Sequence, residues 1–194
     1  HGGYFYFKIS DSKPRDIHKA SVRDRIVHHA LYRALYPYFD KYFIYDSYSC
    51  RLNKGTHRAM ERFNGFVGKE SENNTKTCWV LKCDIRKFFA SVDHSVLLRV
   101  LGRHALDDAT LRLLGRVVES FGTKPGVGLP LGNLTSQLLV NVYMNEFDQW
   151  MKHVMKTEFY IRYADDFIIL SRDKELLAEL LPKISEFLEE NLSL

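Results

Sequence analysis

Two adjacent aspartates between two apolar segments constrain the fold of this chain more than any other feature. The stretch YIRYADDFIIL, residues 160–170, surrounds Asp165 and Asp166 with tyrosine, phenylalanine and isoleucine. Aromatic and β-branched residues favour strands, so the stretch predicts a β-hairpin with both carboxylates at its tip. Neighbouring carboxylates repel each other unless a cation neutralises them, and Mg²⁺ is a hard divalent ion that prefers oxygen ligands. Ordinary turn chemistry is the other explanation of two aspartates in a turn.

A third aspartate follows another predicted strand. In CWVLKCDIRKFF, residues 78–89, Asp84 stands where an apolar strand that we expect to be buried meets a turn. Three carboxylates from two strand ends can hold two metal ions about 4 Å apart, which clamps the attacking and leaving oxygens of an in-line phosphoryl transfer. The sequence therefore predicts that Asp84 lies beside Asp165 and Asp166.

The N-terminal segment predicts a hairpin followed by a helix. GGYFYFKIS alternates, with Phe5, Phe7 and Ile9 on one face and Tyr4, Tyr6 and Lys8 on the other, as expected of a half-buried strand. The turn residues SDSKP then predict an antiparallel return strand. Ser21 and Asp24 resemble a capping box and predict the start of a helix.

Aspartates also mark the starts of later helices. Asp93 precedes one apolar helical pattern, and either Asp107 or Asp108 precedes another. A glycine-proline loop, GTKPGVGLPLGN, leads into a long amphipathic helix, and a last helix follows the second hairpin. The order of hairpin, helices, strand, helices, hairpin and helix predicts an α+β fold with a small antiparallel sheet backed by helices.

Composition limits the setting in which the chain works. With 194 residues, 45% of them hydrophobic, it can bury a core in one domain or two small lobes. It has no apolar run of about 18 residues and no signal-peptide pattern, so no membrane contact and a cytoplasmic location are expected. Residues 1–77 contain 14 Lys and Arg against 8 Asp and Glu, which suggests a polyanionic partner, although solvated helix faces explain it equally well. The three cysteines are interpreted as free thiols.

Five segments together resemble reverse transcriptases. CDIRKFFASVDH, GLPLGNLTSQLLVN and YIRYADDFII resemble the three catalytic palm motifs of this family. KPRDIHKASVRDRIVHHAL and DSYSCRLNKGTHRAM resemble the fingers of bacterial members, including group II intron, retron and diversity-generating enzymes. The resemblance implies a right-hand polymerase with fingers at 1–77 and a palm at 78–194, part of the fingers helices lying near 95–128. It also implies that the chain is truncated before the fourth palm motif, with the thumb absent.

The resemblance assigns the metal ligands. Asp84 and Asp165 would be the principal ligands of two Mg²⁺ ions, with Mn²⁺ as a substitute. Asp166 matches a position that coordinates less directly, and the Ile85 carbonyl would add a ligand. One ion would activate the primer 3′-hydroxyl, and the other would hold the triphosphate and the departing pyrophosphate.

The resemblance also assigns the nucleotide site. Phe89 matches the aromatic steric gate that excludes a ribose 2′-hydroxyl, although core packing is an equal alternative. Lys8 and Arg15 are seven residues apart and are expected to project together toward the triphosphate, with Lys13 as a substitute. A solvated hairpin tip is the alternative for these basic residues.

Two further groups of polar residues have both a functional and a structural interpretation. Arg51, Asn53 and Lys54 fit a loop that contacts the template backbone, and a solvated loop is nearly as good an explanation. His28 and His29 lie in a predicted helix beside apolar neighbours, so we expect a structural role.

The second palm motif departs from the common pattern at Leu131, where many reverse transcriptases have glutamine. An aliphatic side chain there removes a hydrogen-bonding group next to the nascent base pair. Diversity-generating reverse transcriptases carry an aliphatic residue here together with Ser136 and Gln137, and they copy adenines with errors. Some defence-associated bacterial enzymes share the substitution, so the subfamily stays open.

The expected partners are template RNA, a DNA or RNA primer and dNTPs. A basic accessory protein is implied for the diversity-generating branch. The alternatives are an RNA-binding module of the group II intron maturase kind and a defence-associated polymerase. Intact Asp84, Asp165 and Asp166 favour catalysis, because an RNA-binding module has no need of clustered carboxylates near phosphates.

Overall fold

The structure, a computed structural model, describes residues 2–10 and 14–194. Within these ranges the chain forms five β-strands and seven α-helices, and this confirms the predicted α+β class with small antiparallel sheets. In chain order they are β1 (Tyr4–Ser10), β2 (Pro14–Ala20), α1 (Val22–Phe39), α2 (Thr56–Glu70), β3 (Trp79–Asp84), α3 (Phe88–Ser91), α4 (His94–Gly102), α5 (Asp108–Glu119), α6 (Leu134–Gln149), β4 (Tyr160–Tyr163), β5 (Asp166–Ser171) and α7 (Lys174–Leu192). A π-helical turn, Trp150–Val154, continues α6. The predicted turn at residues 11–13, with Lys13, lies outside the described residues.

The chain divides into two compact units. The first comprises His1–Tyr42, Lys87–Tyr143 and Leu192–Leu194, and the second comprises Phe43–Arg86 and Met144–Asn191. Residues 43–77 therefore belong to the same unit as β3, β4 and β5. The predicted boundary between fingers and palm at residue 77 is a functional one and does not coincide with a boundary between these units. The division into fingers and palm stays a prediction.

The first unit begins with a two-stranded hairpin. β1 and β2 pair antiparallel along their full length, which confirms the predicted return strand. Neither face of β1 is fully covered, because Phe5 and Ile9 on one face are 71% and 43% exposed and Tyr6 on the other face is 50% exposed. At one end of the hairpin, Tyr4 and His18 pack against the ring of Phe121 at 5.3 and 4.6 Å. Alternation in a sequence separates two faces but does not say which of them meets the core.

Three helices of the first unit begin where the sequence predicts. The Ser21 hydroxyl accepts a hydrogen bond from the Asp24 amide at 3.2 Å at the start of α1. Asp93 caps α4 by accepting from the amide three residues further on at 3.0 Å. Asp107, rather than Asp108, caps α5 in the same way at 2.9 Å. Each cap satisfies an amide that the first helical turn would leave without a partner.

The second unit is built on a three-stranded antiparallel sheet in the order β3-β5-β4. One face carries a buried apolar cluster that includes a side chain of α2. The cluster consists of Tyr48, Phe66, Ile161 and Leu170. On the other face the ring of Phe167 contacts that of Phe147 in α6 at 5.0 Å. Because both faces are covered, β5 is a rigid central strand.

The strand β3 lies at the edge of this sheet. Trp79 and Val80 are both exposed, so the prediction that this strand is buried is wrong. A continuous apolar run is typical of central strands, but pairing order depends on contacts that are distant in sequence. Within the part of the chain that the structure describes, none of the helices combines the length and apolar composition needed to cross a bilayer.

Candidate active site

The register of the central strand places two of the predicted aspartates opposite each other. β3 and β5 pair so that Asp84 stands across from Asp166 at one end of the ladder. Directly opposed residues in an antiparallel pair point to the same face, with Cβ atoms about 4.5–5.5 Å apart. Asp84 and Asp166 therefore lie on one face of the sheet at the same strand end.

Asp165 lies in the two-residue loop between β4 and β5. Its partner in the loop, Ala164, has φ +57°, a left-handed conformation that tight hairpins require. The amide of Ile85, just beyond the end of β3, donates to the carbonyl of Asp165 at 3.3 Å. This hydrogen bond links the loop to the strand end that carries Asp84, so the backbones of all three aspartates are adjacent.

A fully buried ion pair supports the loop from inside the second unit. The Arg162 guanidinium donates to both carboxylate oxygens of Asp148, at 2.6 and 2.8 Å, and neither side chain has exposed surface. It also donates to the Ala164 carbonyl at 3.0 Å. The Tyr160 hydroxyl donates to Asp148 at 2.6 Å. Burial raises the pKa of Tyr160 well above its ordinary value, and the Asp148 charge raises it further, so this hydroxyl stays a donor.

The buried ion pair of Arg162 with Asp148 was not predicted from the sequence. One signal was available, because Arg162 is a charged residue in an otherwise apolar strand and shares a face with Tyr160. A charge on a buried face needs an opposite charge on a neighbouring element. The sequence does not show which acid supplies it, since Asp148 reaches the strand only through the packing of α6.

The residues at the tip of the hairpin have the types of donor atom that bind magnesium. Carboxylates and a main-chain carbonyl are oxygen donors of the type that Mg²⁺ binds, and Asp84, Ile85, Asp165 and Asp166 offer them from adjacent backbone positions. In residues 2–10 and 14–194, however, no three His, Cys, Asp or Glu side chains are gathered in an arrangement that could hold a metal ion. The Lys82 ammonium lies 3.8 Å from a carboxylate oxygen of Asp166.

The two basic residues predicted to contact the triphosphate lie on the hairpin of the first unit. Lys8 stands opposite Asp16, and Arg15 stands opposite Ile9. Since adjacent residues alternate in direction, Lys8 and Arg15 point to opposite faces of the ribbon. The expectation that they project together is therefore wrong, because a shift of one residue in pairing exchanges the faces. Their assignment to the nucleotide stays a prediction.

Phe89 and Leu131 lie in the first unit and are both half-buried. Phe89 is in α3, and its carbonyl accepts a hydrogen bond from the Leu129 amide at 2.7 Å. Its neighbour Phe88 is fully buried and belongs to the core, so the two phenylalanines have different environments. The Leu131 carbonyl accepts from the His18 amide at 3.0 Å. Backbone hydrogen bonds thus connect the loop before α6 to both α3 and β2.

The three residues predicted to contact the template have contacts within the second unit. The Arg51 guanidinium donates to the carbonyls of residues 44 and 47, at 2.6 and 3.0 Å. The Lys54 ammonium donates to the Tyr45 carbonyl at 2.7 Å and lies 3.5 Å from the centre of that ring. Asn53 has φ +57° and forms part of the turn. These contacts shape the loop, and template binding by these residues stays a prediction.

His28 has the structural environment that the sequence predicts. Its side chain is buried, and Nδ1 lies 2.6 Å from the Thr135 hydroxyl. Burial lowers the pKa of His28. The imidazole is therefore held in its neutral form by the interior of the first unit.

The sequence is similar to known proteins over most of its length. Protein YkfC of Escherichia coli (strain K12) is 25% identical over 211 aligned positions, which cover 90% of this chain and 55% of that protein. The putative COX1/OXI3 intron 1 protein of Saccharomyces cerevisiae is 27% identical over 165 positions, which cover 77% of this chain and 19% of that protein. The chain thus spans about half the length of the first relative, and less of the second.

The fold is also similar to a solved structure. Apo telomerase from Candida tropicalis, truncated from its C-terminal domain, superposes with a TM-score of 0.70 at 12% identity, covering 98% of this chain and 48% of that one. At this identity the likeness concerns the fold alone. A family model described as Reverse transcriptase (RNA-dependent DNA polymerase) matches residues 8–193. Because this match spans nearly the whole sequence, the chain belongs to the reverse transcriptase family.

Proposed function

We propose that this chain forms the fingers and palm of an RNA-directed DNA polymerase, which transfers nucleotides from dNTPs to a primer 3′-hydroxyl on an RNA template. The register that sets Asp84 opposite Asp166, with Asp165 in the adjoining loop, is the observation that carries the proposal. The three aspartates occupy adjacent backbone positions at one end of a rigid sheet. They suit phosphoryl transfer, whose catalysis depends on positioned charge.

The aspartates have distinct tasks in this proposal. Asp84 and Asp165 would hold two Mg²⁺ ions, helped by the Ile85 carbonyl, and Asp166 would contribute less directly. When bound, such ions would supply activation of the primer 3′-hydroxyl and charge neutralisation at the triphosphate and pyrophosphate. Arg162 keeps the loop in place through the Ala164 carbonyl. The rest of the mechanism is positioning, because in-line transfer requires the attacking oxygen and the phosphorus to be aligned.

Primer extension on an RNA template tests the aspartate assignment. In the full-length protein we expect Mg²⁺-dependent extension, and Asp165→Asn or Asp84→Asn should lower its rate by about three orders of magnitude, equivalent to about 4 kcal/mol of barrier. Glu186→Gln, on the exposed face of α7, is the matched control and should extend as the wild type does. Equal extension by Asp165→Asn and Glu186→Gln would refute the assignment.

Leu131 supports a finer proposal, that the enzyme is a diversity-generating reverse transcriptase with errors concentrated at template adenines. An aliphatic side chain cannot check base-pair geometry through hydrogen bonds, as glutamine would. Misincorporation should therefore be higher opposite adenine than opposite other template bases, and Leu131→Gln should reduce that difference. An unchanged error pattern in Leu131→Gln would mean that Leu131 only packs.

A second candidate function is RNA binding of the intron maturase kind. Similarity to the putative intron 1 protein of yeast favours it. Under this hypothesis the full-length protein binds RNA tightly, and neither it nor the Asp165→Asn variant extends a primer. A binding measurement beside the extension assay therefore separates the two functions, with binding retained in Asp165→Asn in either case.

A further inference from the structure

The outer edge of β2 is paired with the loop that precedes α6. The His18 amide donates to the Leu131 carbonyl at 3.0 Å. Two residues along the loop, the Asn133 side chain continues the pairing, since its Nδ2 donates to the His18 carbonyl at 2.8 Å and its Oδ1 accepts from the Ala20 amide at 3.3 Å. These groups point away from β1, so the Asn133 amide takes the place of a further strand at the edge of the hairpin.

Only a side chain with a donor and an acceptor at this spacing can make both hydrogen bonds. Asn133 is 3% exposed, and water cannot replace it there without rearrangement. A carboxylate has the same shape but no donor, so it would face the His18 carbonyl with a negative charge. Alanine would leave both backbone groups of β2 without this partner.

The loop also approaches β2 at Gly132. This glycine has φ +110°, and a Cβ added there would lie 3.0 Å from the Ile17 side chain. Ile17 and Arg15 are two residues apart on β2 and share a face, whereas Lys8 lies on the other face. The loop that carries Leu131 therefore meets the hairpin on the face of Arg15.

We propose that Asn133 is a positioning residue that sets nucleotide specificity in the polymerase, an inference that rests on the proposed function. By joining β2 to the loop, Asn133 fixes the distance between Arg15, which would contact the triphosphate, and Leu131, which would lie at the nascent base pair. A dNTP contacts both only while this distance is kept. Loosening the connection weakens nucleotide binding and selection before it affects the carboxylates.

The test is steady-state primer extension by the full-length protein with Asn133→Asp. At pH about 8 the introduced carboxylate should raise the KM for dNTP at least about tenfold, with a smaller change in kcat, and should raise misinsertion. Burial raises the pKa of a carboxyl group, and the protonated acid again has one donor and one acceptor. The KM of Asn133→Asp relative to wild type at the same pH should therefore fall as the pH is lowered to about 6. This normalisation removes the effects of groups common to both proteins.

Two further variants separate positioning from general destabilisation. Asn133→Ala should show the raised KM without recovery at low pH. Asn141→Asp, equally buried in α6, should lower thermal stability and leave the KM for dNTP unchanged. If Asn133→Asp destabilises the protein as Asn141→Asp does and keeps the wild-type KM and misinsertion, the proposal is overturned while the polymerase assignment stands. A wild-type protein that extends no primer removes the assignment itself, and the role of Asn133 with it.

Discussion

Replacing Asp148 with alanine should destabilise the protein strongly, because the change leaves a buried guanidinium without its counter-charge. Arg162 and Asp148 are fully buried and share two hydrogen bonds of 2.6 and 2.8 Å. Removing one partner of such a pair costs about 3–5 kcal/mol. A chain of this size is stable by about 5–15 kcal/mol in total, so the loss is a large part of the margin.

The double variant Asp148→Leu, Arg162→Met separates the charge from the packing. Replacing a buried ion pair by apolar residues of similar volume is often neutral or stabilising by about 1–4 kcal/mol. In this protein Tyr160, Ala164 and Ser47 would each lose a partner, at about 1–3 kcal/mol for a group that stays dry, which offsets the gain. We expect the double variant to be more stable than Asp148→Ala by at least about 1 kcal/mol. It should still extend primers more slowly than wild type, since the loop of Asp165 has lost its support.

Urea unfolding followed by far-ultraviolet circular dichroism measures these free energies, provided that the slopes of the transitions agree. Glu186→Ala, on the exposed face of α7, should stay within about 0.5 kcal/mol of wild type. A loss of less than about 1 kcal/mol in Asp148→Ala would refute the reasoning, as would a double variant less stable than the single one.

Three shorter predictions concern the first unit. Phe89→Ala should admit ribonucleotides, measured as a lower ratio of kcat/KM for dNTP to that for rNTP; an unchanged ratio would make Phe89 a packing residue. Because burial lowers the pKa of His28, the unfolded state binds a proton below about pH 6.5 more readily than the folded state does. The free energy of unfolding should therefore fall as the pH drops through that value. His28→Gln should flatten this dependence in urea midpoints between about pH 7.5 and 5.5, and parallel curves would contradict it. Gly132→Ala should lower stability by about 1–3 kcal/mol, because φ is +110° and the new Cβ meets Ile17 at 3.0 Å; a thermal melt equal to wild type would show that the loop yields.

Local signals predicted much of this fold. Ser21, Asp93 and Asp107 mark helix starts because a cap joins residues only three apart, so the sequence contains both partners. The hairpin with Asp165 and Asp166 was predictable for the same reason, since its loop has two residues. The position of Asp84 followed from its place at a strand end combined with a known motif pattern.

Pairings between segments that are distant in the sequence were not predicted. The opposite directions of Lys8 and Arg15 depend on the register of β1 against β2, which a shift of one residue reverses. The edge position of β3 depends on the order of three strands that lie up to about ninety residues apart. The hydrogen bonds from the Asn133 side chain to β2 join residues that are separated by 113 and 115 positions in the sequence. None of these has a counterpart in a local pattern.

In and beside the hairpin of the second unit, the residues proposed to take part in catalysis differ from the residues that stabilise the hairpin. Asp84 is exposed and the Asp166 side chain is 47% exposed, and the ion pair of Asp166 with Lys82 at 3.8 Å joins two solvated groups. Such a pair contributes little to stability. Residues that face the interior, such as Phe167 on β5 and Arg162 on β4, stabilise the hairpin instead. A substitution at buried Asp148 is therefore expected to affect the reacting groups through Arg162 and the Ala164 carbonyl.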